Sequence, residues 1–417
     1  MAVATGLTVG GNYVNQPLLD LFARTFGVSE AAAGVSVTVA QVAYGIGLLL
    51  LVPLGDVLER RRLLTVLTLL AAAGHAVAAL SPDLAWLLVG TAIAGLFSVA
   101  AQVLVPFVAE LAEEGQAGRA VGTVMSGLLV GALLARSVSG LLAEVAGRRA
   151  PYAVVAVGLV LLAVVLHRRL PVSRPAGGRT WGEALRSMGR LVRTHPRLRT
   201  RALVGGLAFA SVSALFASTT FLLAGPGFGL SSAQIGLVGL AGVGGALAAG
   251  AAGRLADRGR VQLATALGVG LLALTWVLLG LSAHWLVGFV LGYALADLAL
   301  QMAHVSNQNV IYALAPDARA RINSVYMTTY FAGGALGSAV GTVAWAGGGW
   351  PAVSGAGLVL ALLAGLVWGV DRRVELRERA AAGSAPAAQV TTSVQGQHDR
   401  DDRQDQDAGR TEGHQQV

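Results

Sequence analysis

The strongest constraint on this chain is a series of about twelve apolar stretches, each long enough to cross a lipid bilayer as a helix. A spanning helix needs roughly 20 apolar residues to cross a hydrocarbon core of about 30 Å. Hydrophobic residues make up 55% of the 417 residues and charged residues only 12%, a balance that a soluble domain of this length does not tolerate. Continuous runs such as residues 63–80 also lack the alternation of a membrane β-barrel. The sequence therefore predicts an all-α integral membrane protein.

We predict twelve transmembrane helices, arranged as two pseudo-symmetric bundles of six. The predicted spans are residues 2–22, 33–54, 63–81, 85–109, 118–143, 151–167, 202–224, 234–252, 262–282, 285–313, 321–346 and 351–370. The predicted domains are an N-terminal six-helix bundle at 1–167, a basic cytoplasmic linker at 168–201, a C-terminal six-helix bundle at 202–371 and a disordered cytoplasmic tail at 372–417.

The linker at 168–201 carries an amphipathic pattern. Trp181, Leu185 and Met188 recur at helical spacing, and Arg186 and Arg190 lie on the opposite face. This pattern predicts a helix that lies on the inner leaflet of the membrane. A disordered basic linker is the alternative.

A polar loop recurs after the second span of each predicted bundle. The first copy, residues 53–62, has the sequence PLGDVLERRR, and the second, residues 253–260, has the sequence GRLADRGR. Such a recurrence at matched places indicates a duplicated chain. An aspartate here can cap a neighbouring helix and pair with arginine, and so latch two helices in one conformer, although a plain topological charge cluster is the alternative. The predicted cytoplasmic gate residues are Asp56, Arg60, Arg61, Gly253, Asp257 and Arg258.

The basic side chains are all arginine, and their placement predicts the topology. They crowd the loop after the second span, the linker, the loops that follow the eighth and tenth spans, and the tail, whereas the alternate loops carry only Arg24, Arg148 and Arg149. The positive-inside rule then places both termini in the cytoplasm of a multi-pass plasma (inner) membrane protein. The pI near 10.6 reflects this topology and contact with anionic lipids. Nucleic acid binding is not expected, because it would need a basic soluble domain.

The first span begins at Met1 with no polar flank, and we expect the true start codon to lie upstream. A cleavable signal peptide is not expected. The stretch lacks a basic n-region and carries Asn12, Asn15 and Gln16 where an apolar h-region should be.

Several kinds of chemistry lack their residues. The chain contains no cysteine, so disulfides, thiolate metal sites and cysteine nucleophiles are excluded. No glycine run is followed by the lysine of a phosphate loop, and no hydrolase motif occupies a suitable element. We therefore expect no enzyme activity, no cofactor and no metal, and ATP is not the energy source. A monomer is expected.

Ionisable residues inside the predicted spans are the strongest functional candidates. An isolated charge there costs several kcal/mol unless a partner or a water-filled cavity relieves it. Arg136 lies near the middle of the fifth span and Asp297 about halfway along the tenth. The polar face that helical spacing predicts for the tenth span consists of Asp297, Gln301, His304 and Gln308, with Asn307 beside it. Such a stripe should line a central cavity.

Asp297, His304 and Arg136 are the proton-coupling candidates. Asp297 and His304, one to two turns apart, could pass a proton. The alternative is that both only bond neighbouring helices. For Arg136, a structural or gating role and the binding of a substrate anion both remain open. Asp20, near the outer end of the first span, is a weaker candidate.

The chain resembles the major facilitator superfamily over roughly residues 1–371, specifically its twelve-helix drug/proton antiporter-like branch of predicted bacterial exporters. The resemblance rests on the two loop copies and on residues 12–17 (NYVNQP), 135–140 (ARSVSG), 304–308 (HVSNQ) and 321–330 (RINSVYMTTY). The first loop departs from the family motif, because Val52 and Glu59 stand in place of glycines. The fifth span lacks the Gly-Pro that ends the family's exporter motif.

The resemblance implies two six-helix bundles around a central site, lined by the first, fourth, seventh and tenth helices with the second and eleventh contributing. The substrate cavity candidates are Asn12, Asn15, Gln16, Gln41, Tyr44, Gln102, Gln301, Asn307, Gln308, Asn323, Tyr326 and Tyr330. For a lone glutamine such as Gln102, a hydrogen bond between helices is the alternative. Phe209 and Phe216 of the seventh span would add an aromatic wall suited to a moderately apolar solute, although core packing explains these phenylalanines equally well.

The function that these observations favour is proton-coupled export of a small organic solute by alternating access, with protons and the solute as partners. The first alternative is a proton symporter or a facilitator that imports a small metabolite. The second is a non-transporting membrane receptor or assembly protein, which would keep the bundle without needing a titratable cavity. The identity of the solute does not follow from the fold.

Overall fold

The computed structural model of the chain describes residues 1–113, 116–173, 180–242, 253–255, 258–315 and 318–383. Within these residues the regular structure is entirely helical. The α-helices are α1 (Ala2–Gly11), α2 (Leu19–Phe26), α3 (Glu30–Leu50), α4 (Arg60–Leu80), α5 (Leu84–Phe97), α6 (Ala100–Leu111), α7 (Ala117–Ala146), α8 (Ala150–Arg169), α9 (Trp181–Thr194), α10 (Pro196–Ala224), α11 (Ser232–Val238), α12 (Val261–Leu281), α13 (Leu286–Leu314) and α14 (Arg319–Gly383). Short 3-10 helices cover Gln16–Leu18, Val52–Asp56 and Gly239–Gly242.

Nine helices of the described part of the chain are long and apolar enough to cross a membrane, which confirms the all-α membrane fold. The helix α14 contains two of the predicted spans, 321–346 and 351–370. They are separated at Gly348 and Gly349, where the backbone leaves the helical conformation. The helix α11 covers the start of the eighth predicted span, and residues 243–252, which complete that span, lie outside the described residues. The count of twelve therefore stays a prediction.

The first predicted span, residues 2–22, is broken rather than continuous. The helix α1 ends at Gly11, residues 12–15 form turns, and α2 begins at Leu19. Pro17 lies in the short 3-10 helix between them and has no backbone N–H to continue the α-helical ladder. The break changes the direction in which each polar side chain of this segment points, since the regular helical spacing no longer applies.

Glycines let the first helix of each half approach a later helix closely. A Cβ at Gly131 of α7 would collide with the backbone of Gly6 in α1, and a Cβ at Gly337 of α14 would collide with the backbone of Ala210 in α10. The first contact joins the first and fifth predicted spans, and the second joins the seventh and eleventh. The two halves therefore use equivalent contacts, as expected for a duplicated chain.

The linker contains a helix where the amphipathic pattern predicts one. At the start of α9 the Thr180 hydroxyl accepts a hydrogen bond from the Glu183 N–H at 3.3 Å, and the Glu183 carboxylate accepts one from the Thr180 N–H at 2.8 Å. Met188 is buried, and the Trp181 indole N–H donates to the Leu50 carbonyl at 2.9 Å. The helix thus packs beneath the end of α3. Its position on the inner leaflet remains a prediction.

The described chain divides after Asp371, and Met1–Asp371 forms one compact unit. Residues 372–383 are helical, whereas the sequence analysis predicts disorder from residue 372. This stretch is rich in arginine, glutamate, leucine and alanine, which are strong helix formers. The rest of the predicted tail, 384–417, lies outside the described residues.

Candidate functional site

A cavity of ≈ 300 Å³ lies between the two halves of the Met1–Asp371 unit. Its wall combines aromatic and apolar side chains with a few polar groups. The residues that line it are Val9, Tyr13, Tyr44, Gln102, Val105, Met125, Leu128, Leu129, Ala132, Leu133, Arg136, Phe209, Phe216, Gly242, Asp297, Leu300, Gln301, His304, Val305, Gln308, Tyr312, Asn323, Met327, Tyr330 and Phe331. We call this the central cavity. An aromatic wall with few polar groups is typical of sites for small organic ligands.

The polar stripe of α13 faces the central cavity. Asp297, Gln301, His304 and Gln308 all line it, because residues three and four apart share one face of a helix. The carboxylate of Asp297 makes no hydrogen bond or ion pair with any described residue, and its side chain is only partly buried. The carboxylate is therefore accessible from the cavity.

Arg136 enters the same cavity from α7 and is held on three sides. Its Nε donates to the Gln16 side-chain oxygen at 2.8 Å. Its guanidinium carbon lies 4.2 Å from the ring centre of Phe216 and 4.9 Å from that of Tyr13, distances at which a cation is attracted to an aromatic face. The terminal nitrogens Nη1 and Nη2 form no hydrogen bond with the described residues. These two nitrogens therefore have no hydrogen-bond acceptor among the described residues at the edge of the cavity.

His304 belongs to an aromatic cluster at the wall. Its Nδ1 lies 3.0 Å from the Tyr326 hydroxyl, and its ring centre lies 4.8 Å from that of Tyr330. Tyr330 stacks in turn on Phe209 at 4.2 Å. The ring orientation of His304 is thereby set, and only its other nitrogen can face a solute.

The central cavity continues toward one face of the molecule. A second cavity of ≈ 390 Å³, lined among others by Asp56, Arg60, Arg319 and Arg321, shares residues with the first. The shared residues are Gln102, Val105, Tyr312, Asn323 and Met327. The path therefore opens at the face that carries the arginine-rich loops.

The opposite face is closed by contacts between the halves. The Thr220 hydroxyl of α10 donates to the Gln16 carbonyl at 2.6 Å, and the Ser137 hydroxyl of α7 donates to the Gly236 carbonyl at 2.8 Å. A Cβ at Gly140 would collide with the backbone of Ser232. Among the described residues, the cavity therefore continues toward the first face, and the two halves are in contact at the other.

Six predicted cavity residues do not line the central cavity. They are Asn12, Asn15, Gln16, Gln41, Asn307 and Tyr326. Asn12 and Asn15 point instead into a small cavity within the N-terminal half, because the break after Gly11 turns them away from Tyr13. Gln16 and Tyr326 lie behind the wall and contact Arg136 and His304.

Asn307 faces the interior of its own bundle. Asn307 is fully buried and its side-chain oxygen accepts a hydrogen bond from Arg201 at 3.3 Å. It lies one residue from Gln308, about 100° around the helix, and therefore turns away from the cavity. Gln41 is also buried. The predicted candidates that line the cavity are Tyr44, Gln102, Gln301, Gln308, Asn323 and Tyr330.

The first gate loop is built differently from the expected Asp–Arg latch. The carboxylate that caps α4 belongs to Glu59, which accepts hydrogen bonds from the backbone N–H groups of Arg61 at 2.9 Å and Arg62 at 3.0 Å. Arg60 forms its ion pair with Glu110 of α6, and Asp56 lines the second cavity beside it. Glu59 reaches the helix start because it directly precedes α4.

The second gate loop is only partly described. Asp257 lies outside the described residues, while Gly253 and Arg258 lie inside them, and the Arg258 side chain is exposed. The gate role of Asp56, Arg60, Arg61 and of this second loop remains a prediction.

Several residues of the site were missed by the sequence analysis. Tyr312 extends the α13 stripe by one turn beyond Gln308, so the same helical spacing could have found it. Tyr13 and Glu110 carried no comparable signal, because only the helix break and the loop packing place them. No cluster of three or more acidic or histidine side chains that could hold a metal occurs in the part of the chain described above.

Known proteins resemble this chain in both sequence and fold. The model of the Major Facilitator Superfamily matches residues 1–260 and 202–398. The chain is 48% identical over 368 residues to the uncharacterized transporter YgaY of Escherichia coli O157:H7, covering 88% of this chain and 93% of that protein. It is 34% identical over 364 residues to the probable transporter SCO4007 of Streptomyces coelicolor, covering 86% and 84%.

Two crystal structures share the fold. The peptide transporter POT in complex with alafosfalin superposes with a TM-score of 0.69 at 17% identity, over 89% of this chain and 93% of that chain. A bacterial homologue of the human lysosomal transporter Spinster, in an inward-facing and occupied conformation, superposes with a TM-score of 0.68 at 13% identity, over 89% and 95%.

Proposed function

The chain belongs to the major facilitator superfamily and is a multi-pass membrane transporter, and on this premise we propose that it exports a small organic solute in exchange for protons. The proposal includes membership of the drug/proton antiporter-like branch, both termini in the cytoplasm, and alternating access about the central cavity. A cavity sealed at one face and open at the other has the geometry of one end state of such a cycle.

The observation that carries the proposal is the accessible carboxylate of Asp297. It lies in the cavity wall without a hydrogen bond or ion pair to any described residue. A proton and a solute that both interact with this carboxylate compete for it, so that each favours a different state of the cavity. Competition at one site is the simplest basis for exchange in opposite directions.

The cavity also supports the kind of solute expected. Phe209, Phe216 and Tyr330 present aromatic faces, and Gln301 and Gln308 present hydrogen-bonding groups. A small molecule with an apolar body and one or two polar groups fits such a wall. A solute with a positive charge would gain from both the carboxylate and the aromatic faces.

The experiment is a measurement of proton movement in proteoliposomes that contain a pH-sensitive dye. A panel of drugs, sugars, amino acids and organic acids is added outside, with wild type and Asp297→Asn in parallel. Exchange predicts that solute entry expels protons and makes the interior alkaline. Asp297→Asn should abolish this signal and retain some exchange of labelled solute.

Asp20→Asn is the matched control. Asp20 pairs with exposed Arg24 at 2.9 Å in α2 and does not line the central cavity, so this variant should behave as wild type. Silence of a folded wild-type protein across the panel would contradict proton exchange and favour a facilitator or a receptor. A proton signal that survives in Asp297→Asn would remove Asp297 from the mechanism.

Proton symport is a second candidate, and the free edge of Arg136 favours it. A guanidinium pre-oriented by Gln16, Tyr13 and Phe216 can bind a solute carboxylate in a bidentate manner. A bound anion would repel an ionised Asp297, so the anion and the proton would bind together and travel in the same direction. In the same assay an organic acid would then make the interior acidic, and Arg136→Gln would remove that response.

A further inference from the structure

A second, much smaller cavity lies inside the N-terminal half, behind the break in the first helix. Its volume is ≈ 10 Å³, and it is lined by Gly11, Asn12, Asn15, Ala40, His75, Thr91, Ala94 and Tyr152. It shares no lining residue with the central cavity. We call it the His75 cavity.

Five buried polar atoms of the His75 cavity have no hydrogen-bond partner among the described residues. They are Nδ1 and Nε2 of His75, Oδ1 of Asn15, Oγ1 of Thr91 and the hydroxyl of Tyr152. Native interiors leave few such atoms unpaired, and an imidazole always carries at least one N–H that needs an acceptor. The Thr91 and Tyr152 hydroxyls lie close enough to interact with each other, but both ring nitrogens of His75 and Oδ1 of Asn15 still lack a partner. This concentration indicates that something polar occupies the space between them.

The imidazole of His75 is 1% exposed and rests on the backbone at the end of α1. A Cβ at Gly11 would lie 2.6 Å from His75 Nε2, so no larger residue fits there without a shift. Beyond Gly11 the backbone changes to tighter turns, with the Tyr13 N–H donating to the Gly10 carbonyl at 2.9 Å and the Leu18 N–H to the Asn15 carbonyl at 3.0 Å. Broken helices in membrane proteins often recruit ordered water at such places.

We propose that the His75 cavity binds an ordered water molecule that bridges His75 to the broken first helix. The volume is about that of one water-sized probe, the minimum for a buried water. Water both donates and accepts, as the mixture of imidazole, hydroxyl and amide groups requires. The lining contains no carboxylate or arginine to neutralise an ion, so a neutral ligand fits.

The water links the His75 cavity to the central cavity through the first helix. Asn15, at the His75 cavity, directly precedes Gln16, which accepts the hydrogen bond of Arg136 Nε at 2.8 Å. Tyr13, in the same turn segment as Asn15, lies against the guanidinium of Arg136. His75 is therefore a positioning residue that acts through the helix break on the orientation of Arg136.

The direct test is a structure of the full chain in lipid nanodiscs at a resolution that shows ordered water. We expect a peak within hydrogen-bond distance of a His75 ring nitrogen and of Asn15 Oδ1. An empty cavity, with the side chains of His75, Asn15, Thr91 and Tyr152 in the positions described, would overturn the proposal.

Thermal unfolding of two variants gives an independent test. Thr91→Val removes a hydroxyl of the His75 cavity, and Ser213→Ala removes a hydroxyl that is equally buried and unpartnered but does not line it. A water-filled cavity predicts a lower thermal midpoint for Thr91→Val, because the hydrogen bond to water is removed, and no decrease for Ser213→Ala. The decrease should persist in a Tyr152→Phe background, which lacks the tyrosine hydroxyl next to Thr91. A Thr91→Val midpoint equal to or above wild type would mean that the hydroxyl has no partner in the cavity.

The same assay separates water from a cation. Exchange of sodium for choline should leave the wild-type thermal midpoint unchanged. A shift specific to sodium that disappears in Thr91→Val would assign the cavity to a cation and overturn the proposal of water. None of these readouts requires transport, so their failure is distinct from failure of the proposed function.

Transport kinetics test the positioning role, which rests on the proposed function. His75→Gln keeps a donor and an acceptor, whereas His75→Leu removes both. We expect His75→Leu to raise KM several-fold at normal surface expression. The KM of His75→Gln should stay close to that of wild type. Equal KM values in His75→Leu and wild type would show that the cavity does not act on Arg136.

Discussion

Arg136 and Arg201 are both buried inside the helical unit, yet their surroundings are opposite. Arg201 in α10 is fully buried and forms an ion pair with equally buried Asp371 at 2.6 Å. Its Nη1 also donates to Thr265 at 2.7 Å and Asn307 at 3.3 Å. Arg136 forms no ion pair with a described residue, and a glutamine and two aromatic rings hold it beside a cavity.

The difference is between a charge neutralised inside the bundle and one that has no ion pair among the described residues. The charge of Arg201 is neutralised by Asp371, which also accepts hydrogen bonds from Thr200 at 2.6 Å and Gln262 at 3.2 Å. Such a network ties α10, α12 and α13 to the end of the last span and leaves nothing for a ligand. Arg136 is also held in one orientation, but its two terminal nitrogens form no hydrogen bond with a described residue, an arrangement that agrees with the binding role proposed above.

The largest effect should follow from Asp371→Asn. Removing one partner of a buried pair leaves an uncompensated charge, which costs about 3–5 kcal/mol. We expect a large drop in the thermal midpoint, measured by fluorescence-detected size exclusion of detergent extracts, and low expression. The double variant Arg201→Met/Asp371→Leu should recover most of the stability, because it removes both fully buried charges, and the second arginine near Asp371, Arg197 at 3.8 Å, is partly exposed. Equal destabilisation of the double variant would show that the ion pair itself is indispensable.

Arg136→Gln should spare the fold and impair transport. A hydrogen bond from the guanidinium to the transported solute would contribute roughly 1.5–3 kcal/mol, because the donor is charged. Its loss corresponds to a fall of about 10- to 100-fold in transport kcat/KM. Transport rates in proteoliposomes and thermal midpoints, measured on the same preparation, check both parts. Normal transport with a lowered midpoint would place Arg136 with Arg201 as a structural residue.

Phe216→Leu should produce a smaller effect of the same kind. It removes the ring that lies 4.2 Å from the guanidinium, a contact worth about 1 kcal/mol, so kcat/KM should fall about fivefold. Phe289→Leu is the matched control, because Phe289 is equally large and fully buried but packs against Trp350 away from the cavity. A similar decrease in transport in both variants would attribute the effect to core packing alone.

Glu110→Gln should have the smallest effect. The ion pair that Glu110 forms with Arg60 lies at the arginine-rich face, and the Glu110 side chain is 55% exposed. Solvent screens such pairs, and their contribution to stability is at most about 1 kcal/mol. The difference in thermal midpoint from wild type should be small at low salt and vanish near 1 M salt. A large, salt-independent destabilisation would mean that this pair is a buried structural contact that solvent does not screen.

The two charged residues of the cavity are recognisable in the sequence because they are ionisable residues within apolar spans. An ionisable residue interrupts an apolar span in only a few places, so Arg136 and Asp297 could be found without a structure. Helical spacing then placed Gln301, His304 and Gln308 on the same face as Asp297, and all three line the cavity. The spacing would also have included Tyr312, one turn further.

The burial of Arg201 could not be found in this way. In the sequence it is one of many arginines at the end of the linker 168–201, and nothing local distinguishes a solvated arginine from one that folds back between helices. Its partner Asp371 is far away along the chain, so only packing of the seventh and twelfth predicted spans brings them together. Asn12 and Asn15 were misplaced for a related reason, since the register after a helix break depends on the neighbouring helices.

Composition and hydropathy alone specify an all-helical membrane protein, because every backbone polar group must be paired inside lipid and a helix pairs its own. The period of the helix specifies which residues share a face. Which face turns to the cavity, which charges are neutralised and where a helix breaks depend on contacts between distant segments. Those contacts are set by packing at positions such as Gly131 and Gly337, and local sequence does not encode which partner each will meet. The tertiary structure therefore left Arg136 and Asp297 without an ion pair among the described residues and neutralised Arg201 with Asp371.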